Sequence, residues 1–386
     1  MPLFFLDSWS LLVFLIQILF LFGANVAYLS KNKRLDFVLF SMLSFFLCYF
    51  YSIRNSSLPD TQMYISVFRN LQYTNVFPWG EGFHLLMKSI SLFSSSESGY
   101  LIGSSIFFVA LLSLNIFLYC KKEYKTFILL FCFSSISILD LSINVYRQGV
   151  AVLVLMIGIH IYIKNSKLLG LLVMTLSLFF HWGAMLIVLI FLVSQFLASK
   201  PKLVYALSII TTSLLLVSYF INFDFINMLI GKMSFISSLG GGIGNVDINS
   251  KFGAYLGGDV EGALFYDGNI FRRIYSSLEL VFFSVTSFFF MWVFRKKNIA
   301  PSVSFYQLYT LQLGIVLYST LLISMVWFIR NFYWCALLNP FVLYEAIASY
   351  DSTVKRRYIV SLCYSIFILL YLSLWFWRHP LVIGSY

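Results

Sequence analysis

"TFILLFCFSSISILDLSINVYRQGVAVLVLMIGIHIYI", residues 126–163, is a long apolar stretch with Asp140, Asn144, Arg147 and Gln148 gathered near its middle. As one helix at about 1.5 Å per residue it would reach about 57 Å, nearly twice the roughly 30 Å of a bilayer core. The stretch therefore reads as two helices joined by a turn, and the polar residues sit on that turn. An ionisable group at such a place costs at least a few kcal/mol unless it meets water, a partner or a ligand.

The rest of the chain has the same character. It is 60% hydrophobic and 11% charged, against roughly 25% charged residues in soluble domains, which identifies a polytopic membrane protein. With about 20 apolar residues per crossing, spans are expected near 9–29, 36–53, 98–119, 126–142, 147–163, 168–181, 183–198, 203–221, 276–294, 303–326, 331–350 and 358–377. The expected fold is thus an all-α transmembrane bundle of about twelve spans, a single integral membrane domain over 1–386. No Lys or Arg precedes the first apolar run, so that run is expected to be a retained span rather than a signal peptide. The segment Phe83–Phe93 is too short to cross and is expected to be interfacial or re-entrant.

Charge orients the bundle. Basic clusters at Lys31/Lys33/Arg34, Lys121/Lys122/Lys125, Lys164/Lys167, Lys200/Lys202, Arg295/Lys296/Lys297 and Lys355/Arg356/Arg357 hold 16 of the 26 Lys and Arg, always in alternate connections. Positive charge marks the cytoplasmic side, so both termini are expected outside. The net charge of +11 thus records orientation and is not read as nucleic-acid binding. Of the 15 acidic residues, 11 fall on the outer side, together with two long extracytoplasmic loops, Arg54–Ser98 and the Gly-rich Asn222–Tyr275. Five cysteines sit singly in or beside apolar runs and read as apolar filler.

The polar residues form a layer at one face rather than a trail across the membrane, which favours chemistry at that face over transport. Arg54, Arg147, Arg272, Arg273 and Arg330 suit a phosphate or diphosphate, because guanidinium forks pair bidentately with its oxygens. Asp60, Glu81, His84 and His181 can act as general base toward a hydroxyl, and Tyr64, Trp79 and Tyr255 offer faces for sugar rings. Taken singly, Arg147 or Arg330 is equally explained by snorkelling to headgroups, and His181 by a structural role. His160 and Glu345 read as structural. No spacing suits a metal, and no nucleotide-binding glycine loop is present. No cofactor is expected, and the energy of the reaction is expected to arrive with a lipid-linked substrate.

Arg54, Asp60 and Tyr64, spaced R-x5-D-x3-Y, together with "WGEGFHLL" (Trp79–Leu86), resemble the first extracytoplasmic loop of the EpsG/Wzy-like polysaccharide polymerases. "VYRQGVAVLVL" (Val145–Leu155), "FFHWGAMLIVL" (Phe179–Leu189) and the Tyr-rich segment around Arg330 resemble later elements of that family in the same order. The chain departs from the family's Gly-Thr-Asp at "SLPDTQMY" (Ser57–Tyr64), where Pro59 makes the turn before Asp60. The resemblance implies a metal-independent glycosyltransferase that polymerises undecaprenyl-diphosphate-linked oligosaccharides into O-antigen or a related surface polysaccharide. It would work at the periplasmic face of the bacterial inner membrane. In that scheme Arg147, Arg330, Arg272 and Arg273 hold the diphosphate. Arg54, Tyr64, Gln148, Trp79 and Tyr255 bind the sugar acceptor, and His181, Asp60 or Glu81 is catalytic. Its partners would be the lipid-linked oligosaccharide and the bilayer, with a chain-length regulator as a further candidate. An O-antigen ligase or another lipid-linked-sugar transferase, a flippase, and a scaffold subunit are the alternatives.

Overall fold

The computed structural model describes residues 8–71, 77, 79–120, 124–164, 166–221, 265–267, 270, 273, 277–324, 329–350, 357–362, 365–366 and 368–369. Among these the chain is helical and contains no strand. Helices start where a side chain can satisfy their first amide groups. Asn32 accepts from the Leu35 N–H to open α2 (Lys33–Ser52), and Ser96 accepts from the Gly99 N–H to open α5 (Glu97–Tyr119). Pro59, which needs no amide partner at a first helical position, opens α3 (Pro59–Arg69).

The chain divides into two units, residues 1–189 with 337–386, and residues 190–336. In the first, α1 (Ser8–Leu29), α2 and α5 surround α6 (Lys125–Ser134). Every side chain of α6 from Thr126 to Ser134 is buried, as expected of a helix apolar all round. Then α7 (Ile136–Ile143) leads to α8 (Tyr146–Lys164), and α9 (Lys167–Leu176) lies hard against α8. Glycines make that approach possible: a Cβ on Gly170 would lie 2.5 Å from Tyr162 Cα, and one on Gly158 2.7 Å from the Met174 amide nitrogen. The second unit holds most of α10 (Ala184–Ala198), then α11 (Pro201–Ser218), α12 (Leu278–Lys296), α13 (Val303–Leu321) and α14 (Ile329–Ala336). There Arg295 lies over the Tyr205 ring at 4.4 Å, and Ser287 Oγ donates to Gln312 Oε1 at 3.2 Å. The remaining helix, α15 (Asn339–Tyr350), belongs to the first unit.

Six described helices, α1, α2, α5, α8, α11 and α12, are long and apolar enough to cross a membrane. The chain is accordingly a membrane protein, but several expected spans take other forms. The span expected at 126–142 is the pair α6 and α7, bent by 79°. The cause is Ser135, whose extended backbone ends α6 while its hydroxyl accepts from the Ile138 N–H to start α7. The spans expected at 168–181 and 183–198 are the short apolar α9, with a single 3₁₀ turn at Ser177–Phe179, and α10. The span expected at 331–350 is interrupted after Ala336 and resumes at Asn339–Pro340, where proline cannot continue a preceding helix. Segment 83–93 lies largely in an 11-residue helix, α4 (Glu81–Ser91). Most of the span expected at 358–377 lies outside the described residues.

Candidate active site

Three turns of the first unit meet. The segment following α2 crosses the α7–α8 turn, where Thr61 Oγ1 donates to the Ile143 carbonyl at 2.5 Å and the Asp60 N–H donates to Asn144 Oδ1 at 3.1 Å. Asn144 Nδ2 in turn donates to Asp140 Oδ1 at 3.1 Å. The start of α4 presses on the turn between α9 and α10: a Cβ on Gly80 would lie 2.2 Å from the Phe179 carbonyl oxygen, and one on Gly82 2.9 Å from Phe179 Cβ. Only glycine allows this approach. Asp60, Arg147 and His181 therefore belong to one cluster of turns, although 121 residues separate the first from the last.

Arg54 is the deepest charge in the cluster, with 5% of its surface exposed. Its Nη2 donates to Ser104 Oγ at 2.8 Å and its Nη1 to Ser105 Oγ at 3.3 Å. Both serine hydroxyls donate their own hydrogens to carbonyls of α5, at Tyr100 and Leu101, so they present lone pairs to the guanidinium. The rings of Tyr100 and Tyr146 each lie 5.8 Å from Arg54 Cζ. Burial pulls the pKa of Arg54 down from the ordinary arginine value, and the nearby phenols of Tyr100, Tyr146 and Tyr64 oppose the shift; the group still stays charged. Its Nε is buried without a hydrogen-bond partner, and it forms no ion pair with any described residue. Effective desolvation of such a charge costs several kcal/mol, while cation–π contacts return about 0.5–2 kcal/mol each. Arg54 is a buried cation with no counter-ion among the described residues.

Arg147 lies over two further rings, 5.3 Å from the Trp79 centroid and 6.0 Å from that of Phe83. Phe83 meets Tyr146 at 6.1 Å, and Tyr146 flanks Arg54. One run of rings, Trp79–Phe83–Tyr146, thus links the two guanidinium groups. Tyr146 is pinned by its hydroxyl, which donates to the Ser104 carbonyl at 2.9 Å. Tyr64 is buried in the same wall, edge-on to Trp79 at 5.0 Å and to Phe83 at 5.1 Å. Its ring is buried, whereas Trp79 stays partly exposed.

The other candidates differ in setting. Asp60 stands half-buried in the first turn of α3. Glu81 is exposed, and its Oε2 lies 3.6 Å from His84 Nδ1, whose ring stacks on Phe77 at 4.4 Å. Gln148 is buried on α8. His181 is half-buried, and its Nδ1 accepts the Gly183 N–H at 3.1 Å. In the second unit, Arg273 donates through Nη1 to the Tyr219 carbonyl and through Nη2 to the Tyr266 carbonyl, each at 3.0 Å. It thereby fastens the turn Phe265–Asp267 to the end of α11. Arg330 is half-buried near the start of α14. Arg272 and Tyr255, with nearly all of the Gly-rich loop, lie outside the described residues. Among the described residues no three His, Cys, Asp or Glu side chains gather as metal ligands.

Sequence reasoning missed the bed of Arg54: Tyr100, Ser104, Ser105 and Tyr146. Its signal was Tyr100 and Ser104 four residues apart, one turn of one helix face.

Residues 37–383 match the model of the EpsG family. No curated protein and no solved structure matches the chain.

Proposed function

Because the chain belongs to the EpsG family, the family of Wzy-like polysaccharide polymerases, we propose that it joins lipid-diphosphate-linked oligosaccharide repeats into a surface polysaccharide. O-antigen or a related polymer is the product we favour, made at the periplasmic face of the bacterial inner membrane. The observation that carries this reading is Arg54, a buried cation with no ion-pair partner among the described residues, beside Arg147 on a shared aromatic wall. Guanidinium groups set this way match the oxygens of a diphosphate.

In the reaction an acceptor hydroxyl attacks the anomeric carbon of the growing chain. The carbon–oxygen bond to the lipid diphosphate breaks, and its electron pair leaves with the diphosphate. Arg54 and Arg147 stabilise the charge that develops there. Asp60 is the favoured base. It sits half-buried on the seam with the α7–α8 turn, whereas Glu81 is exposed and engaged with His84. Trp79 supports Arg147 and offers a face to a sugar. We place the cluster on the outer side from the charge alternation, which also calls for about twelve crossings, the shorter helices included.

The test is the polysaccharide ladder of a strain lacking the gene, with wild type, Arg54→Gln or Arg147→Ala restored at equal protein level. Wild type should restore long chains, and the variants should leave single repeats on the lipid acceptor. Single repeats with wild type restored, or normal ladders from both variants, contradict the reading. Loss of every repeat from the acceptor would point to a ligase.

A further inference from the structure

Resting on the reading above, we propose that Phe77, Trp79, His84 and Glu81 form the site for the sugar joined directly to the lipid diphosphate. The aromatic wall has two layers. Phe83 and Tyr64 are buried, at 0% and 3% exposure, whereas Phe77, Trp79 and His84 are each partly exposed. The buried layer backs the outer one: Phe83 lies 5.6 Å from Trp79 and 6.2 Å from Phe77. The outer rings also brace one another. Phe77 meets Trp79 edge to face at 5.4 Å and stacks on His84 at 4.4 Å. Rings held in this way lose little freedom when a ligand covers them. Glu81 stands beside them with 74% of its side chain exposed, its Oε2 3.6 Å from His84 Nδ1.

A pyranose presents C–H groups on its faces and hydroxyls around its edge. Half-exposed rings bordered by a charged acceptor match both. An alkyl chain would leave the carboxylate without use, and a phosphate alone would leave the rings without use. Arg147 fixes which sugar this is. Its guanidinium lies over Trp79 at 5.3 Å and over Phe83 at 6.0 Å, so a diphosphate held there brings its attached sugar onto the adjoining rings. The backbone that carries Glu81 is fixed on both sides, because Gly80 and Gly82 press on Phe179 too closely for either to bear a Cβ without displacing it. The carboxylate accepts hydrogen bonds from sugar hydroxyls and so orients the anomeric carbon, while the acceptor proton goes to Asp60.

Two lipids separate the sugar from the diphosphate. Purified protein in detergent is titrated with undecaprenyl diphosphate, or with undecaprenyl diphosphate bearing only the first sugar of the host's repeat, while the melting temperature is followed. Wild type should reach half its gain at about tenfold lower concentration of the sugar-bearing lipid. Phe77→Ala should need about tenfold more of that lipid than wild type, the scale of one ring contact, and Glu81→Gln about three- to tenfold more. Both variants should respond to the bare lipid as wild type does. Equal midpoints for the two lipids in wild type would overturn the proposal. So would a wild-type preference for the sugar in either variant, the outcome expected of an aromatic belt facing lipid. Equal weakening toward both lipids would make the rings a support for Arg147 and overturn it too. Should Phe77→Ala melt below wild type before ligand is added, Glu81→Gln decides alone, since so exposed a side chain contributes little to the fold. No gain from the bare lipid in wild type would remove the diphosphate reading itself, whereas failure of the sugar site shows only in the difference between the lipids.

Discussion

The first unit buries a charge near each of two helix ends, and the two are treated in opposite ways. Asp36, 2% exposed in the first turn of α2, is answered by protein. Its Oδ1 accepts the Thr126 N–H at 3.1 Å and its Oδ2 the Lys125 N–H at 3.3 Å, while Thr126 Oγ1 donates to its carbonyl at 2.8 Å. The carboxylate caps α6, where the helix dipole favours a negative charge. Arg54, just beyond the other end of α2, receives two hydroxyl oxygens and two rings but no carboxylate from the described residues. A buried charge matched by its own chain holds the fold together. On the proposed function, one with no counter-ion among the described residues is kept for a substrate that brings it.

This contrast can be broken by exchanging the roles. The largest effect is expected from Arg54→Gln, which should cut chain extension by about 100- to 1,000-fold, the loss of about 3–4 kcal/mol of charge stabilisation. Its thermal stability in detergent should equal or exceed that of wild type, because a desolvated charge is removed. If the variant instead unfolds, Arg54 is structural and the contrast collapses. Next comes Asp36→Ala, which leaves the α6 amides without their acceptor. It should lower stability by about 1–3 kcal/mol, read as a reduced melting temperature, with activity per folded molecule unchanged. Gly170→Leu should likewise destabilise, by about 1–3 kcal/mol, since its side chain would have to enter the space held by the Tyr162 backbone; retained wild-type melting would show that α8 and α9 separate freely. The smallest effect is Trp79→Leu. Removing one ring from under Arg147 should weaken extension about two- to fivefold, in line with about 0.5–1 kcal/mol for a cation–π contact, with stability nearly unchanged.

Much of this was legible in the sequence, for identifiable reasons. Charge alternation and apolar run length fix helices such as α1, α2, α5 and α8, because bilayer thickness sets their lengths. The turn carrying Asn144 and Arg147 could be read as well, since polar groups in an apolar stretch gather where a chain reverses. The bend at Ser135 and the break before Pro340 were hidden, because a serine cap or a proline in a long apolar run changes composition little while redirecting the backbone. The resemblance implies a sugar-binding role for Arg54, whereas the proposed function gives it the diphosphate. Its depth depends on Ser104 and Ser105, some 50 residues away, and no local pattern reports that contact.

The central claim is that a diphosphate supplies the counter-ion that Arg54 does not find among the described residues. It is tested most directly by titrating purified protein in detergent with undecaprenyl diphosphate while following the melting temperature. Wild type and Asp36→Asn should both gain stability that rises and saturates with ligand, and Arg54→Gln should gain little or none. A gain in Arg54→Gln equal to that of wild type would contradict the account.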